Sequence, residues 1–483
     1  MRSKRPKLSP EIVLSGIART LMTLSALAIL PMTAGAQAPG LEGAWQGSLQ
    51  GMMRLIIHIE RTPDGKLKGA MDSPDQGAMG IPIDTLIATA DSLRFRMRRI
   101  GGEYVARRVS ADSLDGVWRQ AGMMLPLTLK RGGTAVAARR PQEPARPLPY
   151  DTVAVSFPNR EAPAVTIAGT LTVPRGKGPF PAALLISGSG PEDRDEAVFG
   201  HRPFLVLADH LTRNGIAVLR VDDRGVGGST GRFSTATSED FASDALAGVE
   251  FLKTRQEIDR KRIGFIGHSE GGLIAPLAAV RSPDVAFIVL MAGPGVPGDS
   301  TILLQSAAMR RSMGAGEEWI AAEQAVLRRM VARIRAGDSL GAMREARELV
   351  RVQIANLPEE QRNAIGDPDS AAAGAMQRLY SPWMRYFMSF DPRPTLQRVK
   401  VPVLAINGEK DLQVLPKENL AAIEAAFKAG GLRHYSVKEL PGLNHLFQRC
   451  TQCTLLEYSQ LEETIAPAAL GEMTTWIQAS TKR

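Results

Sequence analysis

The sequence predicts an α/β protein in which a mostly parallel, doubly wound sheet follows a small antiparallel β domain. Apolar runs without polar alternation, such as "FPAALLISG", "RIGFIG" and "AFIVLMAG", are typical of strands buried on both faces of a sheet. Helical segments alternate with these runs after about residue 151. Residues 41 to 130 instead contain short, partly alternating stretches separated by turn sequences, which are typical of antiparallel strands.

The first 36 residues have the pattern of a signal peptide. The basic stretch "MRSKRPK" precedes the apolar run "LMTLSALAIL", and "AGAQA" supplies small residues that suit cleavage after Ala36. The alternative is a retained anchor helix, but the apolar run is shorter than the roughly 20 residues that a membrane span needs, and Pro31 ends it. We therefore expect export to the periplasm or the exterior, and no membrane span in the mature chain.

Composition and charge exclude several partners. The chain has 483 residues, 44% of them hydrophobic, and a formal charge of +9. Part of that charge lies in the signal peptide, and the rest contains no Lys/Arg block of the kind that binds nucleic acid. Because no His/Asp cluster has the spacing of metal ligands, we expect neither a metal nor another cofactor.

The two cysteines of the chain, Cys450 and Cys453, are spaced C-x-x-C. Two thiols cannot complete a tetrahedral zinc site by themselves. In the oxidising compartment of an exported protein we expect a local disulfide, with two free thiols as the alternative.

Residues 37–135 are predicted to form the small β domain, as a barrel or a sandwich. A tryptophan lies near each end, Trp45 in "GAWQG" and Trp118 in "DGVWRQ", and both are expected to anchor its core. Residues 136–150 contain four prolines within "AARRPQEPARPLPY", which favours an extended, semi-rigid linker. The larger domain is expected over residues 151–483.

One spacing in the larger domain departs from the alternation of strands and helices. Roughly a hundred residues, mostly helical in pattern, separate "VLMAGPG" from "VPVLAING". This segment is too long for a single crossover helix. We therefore expect a helical lid, at about residues 296–392, inserted between two strands.

Two Gly-x-Ser-x-Gly sequences compete for a nucleophilic serine. "GHSEG" places Ser269 between the apolar run "RIGFIG" and the predicted helix "GGLIAPLAAV", which is the strand–turn–helix setting of a nucleophile elbow. "GGSTG" places Ser229 before a loop, and this stretch lacks the Lys-Ser/Thr ending of a phosphate-binding loop. Ser269 is therefore the better candidate.

A nucleophilic serine needs a base and an acid, which follow it in the order acid, then histidine, in this fold class. Asp411 comes just after the buried strand in "VPVLAINGEKD", with Glu409 as the alternative acid, and His445 follows the predicted strand "HYSVKEL" in "PGLNH". Two backbone N–H groups must also bind the developing oxyanion. We assign them to Glu270, directly after the nucleophile, and to Ser189 in the loop "GSGPEDRD".

Five segments occur in an order that resembles a known family. "SGSGPEDRD", "RVDDRGVGGSTG", "IGFIGHSEGG", "AINGEKD" and "GLNHLFQ" are together similar to α/β-hydrolase esterases of the EstD type, which are related to serine aminopeptidase-like hydrolases. The resemblance spans roughly residues 150 to 480. It implies Ser269 as nucleophile, Asp411 as acid and His445 as base, and hydrolysis of a small-molecule ester through an acyl-enzyme. The segment "CTQC" is not part of the family pattern.

Two other functions stay open. A serine peptidase of the same fold would need acidic side chains for the substrate ammonium, and Glu317 and Glu318 could supply them, although their Arg- and Glu-rich helix predicts that they face solvent. A non-catalytic protein could instead bind envelope polysaccharide or another protein through the β domain. The complete set of triad residues argues against this last function.

Overall fold

The computed structural model describes residues 40–482 except for residues 50–52, 75–77, 121–122, 133–138 and 356–367. The predicted signal peptide therefore lies outside the described residues. Among the residues that are described, no helix combines the length and the apolar character needed to cross a bilayer.

In its described residues, the N-terminal β domain is one antiparallel sheet of nine strands. Its order is β4-β3-β2-β1-β9-β8-β7-β6-β5, so the first and the ninth strand pair with each other while β4 and β5 form the two edges. The strands are β1 (Gly43–Leu49), β2 (Met53–Arg61), β3 (Leu67–Ser73), β4 (Ala78–Pro82), β5 (Thr85–Ala88), β6 (Ser92–Met97), β7 (Gly102–Ser110), β8 (Ser113–Gln120) and β9 (Met123–Arg131).

The core of the β domain lies on one face of this sheet, because side chains alternate between the faces of a strand. In β6, Leu93 and Phe95 are buried whereas Arg94 is exposed. Trp45 and Trp118 are both buried in this core, as predicted, and the Trp45 indole N–H donates to the carbonyl of Leu41 at 2.8 Å.

The described part of the Pro-rich segment is attached to the larger domain by its polar side chains. The Arg140 guanidinium donates to four backbone carbonyls of the larger domain, those of Phe199, Gly200, Ser459 and Leu461. The Gln142 side chain accepts from the N–H of Thr464 and donates to the carbonyl of Ile465. Proline content predicts a stiff backbone in this segment but gives no indication of these contacts.

The larger domain is built on an eight-stranded sheet of order β10-β11-β13-β12-β14-β15-β16-β17. Its strands are β10 (Asp151–Pro158), β11 (Thr166–Val173), β12 (Phe180–Ile186), β13 (Ala217–Val221), β14 (Ile258–His268), β15 (Phe287–Met291), β16 (Val403–Gly408) and β17 (Tyr435–Leu440). β11 is antiparallel to β10 and β13, and the remaining pairs are parallel. Every residue of β15 and β16 is buried, which is why these strands read as continuous apolar runs.

Helices cover both faces of this sheet, which confirms the predicted doubly wound arrangement. The helices are α1 (Pro203–Arg213), α2 (Ser238–Lys253), α3 (Gly271–Ala279), α4 (Gly298–Ser312), α5 (Glu317–Arg335), α6 (Ser339–Ala355), α7 (Pro368–Leu379), α8 (Pro382–Ser389), α9 (Arg393–Arg398), α10 (Pro416–Ala429), α11 (Leu455–Tyr458) and α12 (Pro467–Ser480). One core contains side chains of α1 and α12, and a second core contains side chains of α2, α3 and α10.

In the described residues, α4 to α9 lie between β15 and β16, and α4 to α8 form the helical insertion that the sequence predicts. It has a small core of its own, in which Met330 and Ile334 of α5 pack with Ala342 of α6 and Met388 of α8. The fully buried carboxylate of Glu323 accepts hydrogen bonds from Arg310 and Gln353, which joins α4, α5 and α6. The insertion is therefore a packed helical unit.

Candidate active site

Ser269 occupies a strained turn between β14 and α3. Its φ is 53°, in the left-handed region, which costs a residue other than glycine about 1–2 kcal/mol. A Cβ atom at Gly267 would overlap the carbonyl of Gly271, and one at Gly272 would lie 2.6 Å from the Cα of Gly293. The flanking glycines thus allow the close approaches that this turn requires, and the turn presents the serine beyond the end of the strand.

Asp411 and His445 form a buried pair in the loops after β16 and β17. The His445 Nδ1 lies 2.7 Å from the Asp411 Oδ2, and the two residues are only 4% and 2% exposed. The other carboxylate oxygen, Oδ1, accepts the N–H groups of Gln413 and Val414 at 2.7 and 2.9 Å. Because a carboxylate accepts, the proton lies on Nδ1, and Nε2 of the neutral ring is able to accept a proton.

Glu409, the alternative acid, does not bind the histidine. Its side chain is exposed, accepts the N–H of Gly442 at 2.9 Å and pairs with Lys410. The structure thus brings His445 together with Asp411 and leaves Glu409 at the surface.

His268 connects the nucleophile turn to the loop that carries His445. Its Nε2 donates to the His445 carbonyl at 3.0 Å, and the centroids of the two imidazole rings are 4.8 Å apart. In the part of the chain that the structure describes, the Ser269 hydroxyl makes no hydrogen bond with the His445 ring. Catalytic hydrogen bonds are often loose without substrate, and the connection through His268 keeps the two loops adjacent.

Glu196 is a site residue that the sequence analysis did not identify. Its Oε1 lies 2.9 Å from the Nδ1 of His268 and accepts the N–H of Gly188 at 2.8 Å. Burial lowers the pKa of His268, but the Glu196 carboxylate, the His445 carbonyl and Asp411 together raise it above its ordinary value. The only sequence signal for Glu196 is its place at the end of the segment "GSGPEDRDE".

The two predicted oxyanion donors belong to residues close to Ser269. Ser189 follows β12, and a Cβ atom at the adjacent Gly188 would lie 3.3 Å from the Cβ of Ser269. Glu270 directly precedes α3. Among the described residues, no protein acceptor binds the backbone N–H of Ser189 or of Glu270. Both groups are therefore available to a developing negative charge.

One further carboxyl group fixes the loop that carries Ser189, and a second belongs to the loop itself. Asp223 accepts the Ser187 hydroxyl and the N–H of Glu192, both at 3.0 Å. Burial raises the pKa of Asp223 to about 7. Burial, together with nearby carboxylates including Glu196 and Asp223, raises the pKa of Glu192 to about 8. Both groups thus change their charge near neutral pH.

Ser229, in the second Gly-x-Ser-x-Gly sequence, is a structural residue. It is buried, its hydroxyl donates to the carbonyl of Asp222 at 2.8 Å, and the same oxygen accepts the N–H of Ala168 at 2.9 Å. These two bonds hold the loop after β13 against β11.

Comparison with known proteins agrees with this fold. Residues 202–449 match the family described as serine aminopeptidase, S33. Esterase EstD of Thermotoga maritima is 26% identical over 294 residues, which are 60% of this chain and 60% of that protein. An uncharacterized protein of Mycobacterium tuberculosis is 34% identical over 114 residues, 24% of this chain and 36% of that protein. The chain therefore matches less than two thirds of the length of either relative.

A solved esterase structure from Pyrococcus furiosus is 16% identical, and the match covers 73% of this chain and all of that one with a TM-score of 0.41. The family match spans more than half of the present chain and includes Ser269, Asp411 and His445. By that match, the protein belongs to the serine aminopeptidase S33 family of α/β-hydrolases.

Proposed function

We propose that the protein is a serine esterase that cleaves small or medium acyl esters through an acyl-enzyme on Ser269. The observation that supports this most directly is the left-handed backbone of Ser269, at the same edge of the sheet as the buried Asp411–His445 pair. Backbone strain at a single serine persists only where its surroundings impose it, and such strain is frequent at catalytic turns. The similarity to esterase EstD supports an ester as the substrate class.

The proposed reaction begins when His445 Nε2 takes the proton of the Ser269 hydroxyl, whose oxygen attacks the ester carbonyl carbon. Asp411 keeps the imidazole in orientation and stabilises its charged form. The N–H groups of Ser189 and Glu270 bind the oxyanion of the tetrahedral intermediate. The alcohol then leaves with the proton from His445, and a water molecule, activated by the same base, hydrolyses the acyl-enzyme.

The contacts of Glu317 favour an ester over a peptide substrate. A peptidase of this fold would need free carboxylates for a substrate ammonium. Glu317 is exposed and pairs with Arg311, which agrees with the predicted solvent-facing position. An ester also releases its alcohol more readily than an amide releases an amine, which must first be protonated.

A substrate screen of the purified protein tests this proposal. Nitrophenyl esters of increasing chain length are compared with aminoacyl nitroanilides. We expect kcat/KM for the best ester to exceed that for the best anilide by at least about tenfold, a barrier difference of about 1.4 kcal/mol. Faster cleavage of the anilides would assign the enzyme to the peptidases instead.

We also infer that the protein is exported. The signal-peptide pattern of residues 1–36 supports export, and so does the Cys450–Cys453 disulfide, because disulfides persist mainly in oxidising compartments.

A further inference from the structure

The side chain of Glu270 receives hydrogen bonds from two separate parts of the molecule. Ser238, the first residue of α2, donates to its Oε1 at 2.6 Å, and the indole N–H of Trp383 in α8 donates to the same oxygen at 2.7 Å. Glu270 itself is only 2% exposed. One buried carboxyl group therefore joins the lid and α2 to the residue that directly follows Ser269.

The charge of Glu270 depends on these donors. Burial raises the pKa of this carboxyl, while the bonds from Ser238 and Trp383 and the Ser189 hydroxyl lower it. A buried carboxylate without donors is strongly destabilised. The loss of one donor therefore changes the geometry or the protonation of Glu270, and this change reaches the groups that remain bound to it.

Helix α8 is positioned so that its indole reaches Glu270. The Trp383 ring stacks on Phe387 with centroids 5.5 Å apart and planes inclined by 17°. A Cβ atom at Gly298 of α4 would overlap the carbonyl of Phe387, so α4 and α8 are in close contact. The position of the indole is thus set by packing within the lid.

We propose that the Glu270 carboxyl group has a positioning role and couples the position of the lid helix α8 to the turn that carries the Glu270 N–H, one of the two proposed oxyanion donors. When α8 is in place, the Trp383 N–H binds the carboxyl group and fixes this residue beside Ser269. When α8 moves away, Glu270 loses this donor and its backbone N–H is no longer fixed. This inference rests on the proposed function, because it assigns the coupling to the oxyanion site.

The experiment compares two aromatic substitutions in α8. Trp383→Phe removes the indole N–H but keeps a ring. Tyr386→Phe removes a different hydrogen bond of α8, in which the Tyr386 hydroxyl donates to Oε1 of Glu239 in α2 at 2.7 Å, and leaves the bond from Trp383 to Glu270 in place. For each variant, kcat and KM are measured with a nitrophenyl ester, together with the second-order rate of fluorophosphonate labelling at Ser269 and the melting temperature.

We expect Trp383→Phe to lower kcat and the labelling rate by about tenfold while KM stays within about twofold, because a displaced oxyanion donor acts mainly in the transition state. Tyr386→Phe should change each quantity by less than about twofold. Glu270→Gln should resemble Trp383→Phe. The double variant that combines Trp383→Phe with Glu270→Gln should lose no more kcat or labelling rate than Glu270→Gln alone, since both substitutions break the same connection.

Equal effects of Trp383→Phe and Tyr386→Phe, or an effect of Trp383→Phe on KM alone, would overturn the coupling. If Trp383→Phe does not fold, Glu270→Gln tests the coupling instead. A wild-type kcat and labelling rate in Glu270→Gln would contradict the proposal. If the wild type cleaves no ester but is labelled at Ser269, the ester assignment fails while the labelling rates still test the coupling. If Ser269 is not labelled, both proposals fail.

Discussion

Each carboxylate oxygen of Asp411 has its own partners. Oδ2 binds the His445 ring, and Oδ1 accepts two backbone N–H groups from the turn that follows it. The turn therefore fixes the carboxylate, and the carboxylate fixes the ring. An amide at this position could keep part of the shape but would present a donor where the ring needs an acceptor.

Asp411→Asn should lower kcat for esters by roughly 10³- to 10⁴-fold, because it favours the wrong tautomer of His445. Steady-state kinetics of the folded variant measure this loss. Glu409→Gln, two residues earlier and exposed, is the matched control and should stay within about twofold of wild type. A comparable loss in both variants would contradict the choice of Asp411.

Glu192 should make the stability of the protein depend on pH. The folded protein keeps this proton up to about pH 8, whereas an unfolded chain releases it near a pKa of about 4.3. The stability that this group contributes is therefore complete below about pH 4 and is lost as the pH rises to about 8. Glu192→Gln has no proton to lose. The difference between its melting temperature and that of wild type should therefore increase by a few degrees in its favour from pH 5 to pH 8.

Thermal melting of wild type and Glu192→Gln at the two pH values measures this gain, with Glu161→Gln, at an exposed carboxyl, as the control. A constant difference between Glu192→Gln and wild type at both pH values would rule out a carboxyl that is kept protonated by burial.

At the scale of elements, the segment after β17 holds His445 through several restraints. The Tyr458 hydroxyl accepts the His445 N–H at 3.4 Å, and Leu443 forms an isolated antiparallel bridge with Arg449. The disulfide joins Cys450 to Cys453. The Glu457 carboxylate accepts three successive N–H groups, those of Thr451, Gln452 and Cys453. The disulfide is thus one restraint among others in this segment.

Replacing both Cys450 and Cys453 with Ser should leave most of the esterase activity. The disulfide closes a loop of only four residues, so its entropic contribution is at most about 2 kcal/mol, and the Glu457 bonds remain. Kinetics and a thermal melt of the double variant test this expectation. Loss of nearly all activity in a folded protein would mean that the disulfide positions His445 or has a redox role.

The turn at Ser269 could be predicted from the sequence because its determinants are local: a buried apolar run, glycines at fixed offsets and a helix. The contacts of Glu196 with His268 and of Trp383 with Glu270 could not be predicted in this way. They join residues 72 and 113 positions apart, and they depend on where the loop after β12 and helix α8 lie in the folded protein. Local patterns carry no information about such distances.

At the scale of the whole molecule, the two domains differ in how far local sequence patterns predict their structure. The buried runs of β15 and β16 indicate a parallel sheet before any pairing is known. The sequence of the β domain shows only an alternation of apolar and polar residues, which is compatible with a barrel, a sandwich or the single sheet observed. Its order depends on the pairing of Trp45 in β1 with Arg131 in β9, and this long-range pairing has no signature in either strand.

The mature protein is expected to begin near Gln37, because Ala34 and Ala36 fit the small-residue positions before a signal-peptidase site. The intact mass of protein recovered from the cell envelope measures this directly. A mass that includes residues 1–36, in a protein fixed in the membrane, would contradict cleavage.

The central claim, that Ser269 is the nucleophile, is tested most directly by fluorophosphonate labelling followed by peptide mapping. We expect one labelled serine, in the peptide containing "IGHSEGG", and no labelling or esterase activity above background in Ser269→Ala. Ser229→Ala is the matched control; it should be labelled at a wild-type rate and should instead lose about 1–3 kcal/mol of stability, because it leaves the Ala168 N–H and the Asp222 carbonyl without a partner. Labelling at another serine, or full esterase activity in Ser269→Ala, would contradict the mechanism proposed for this protein.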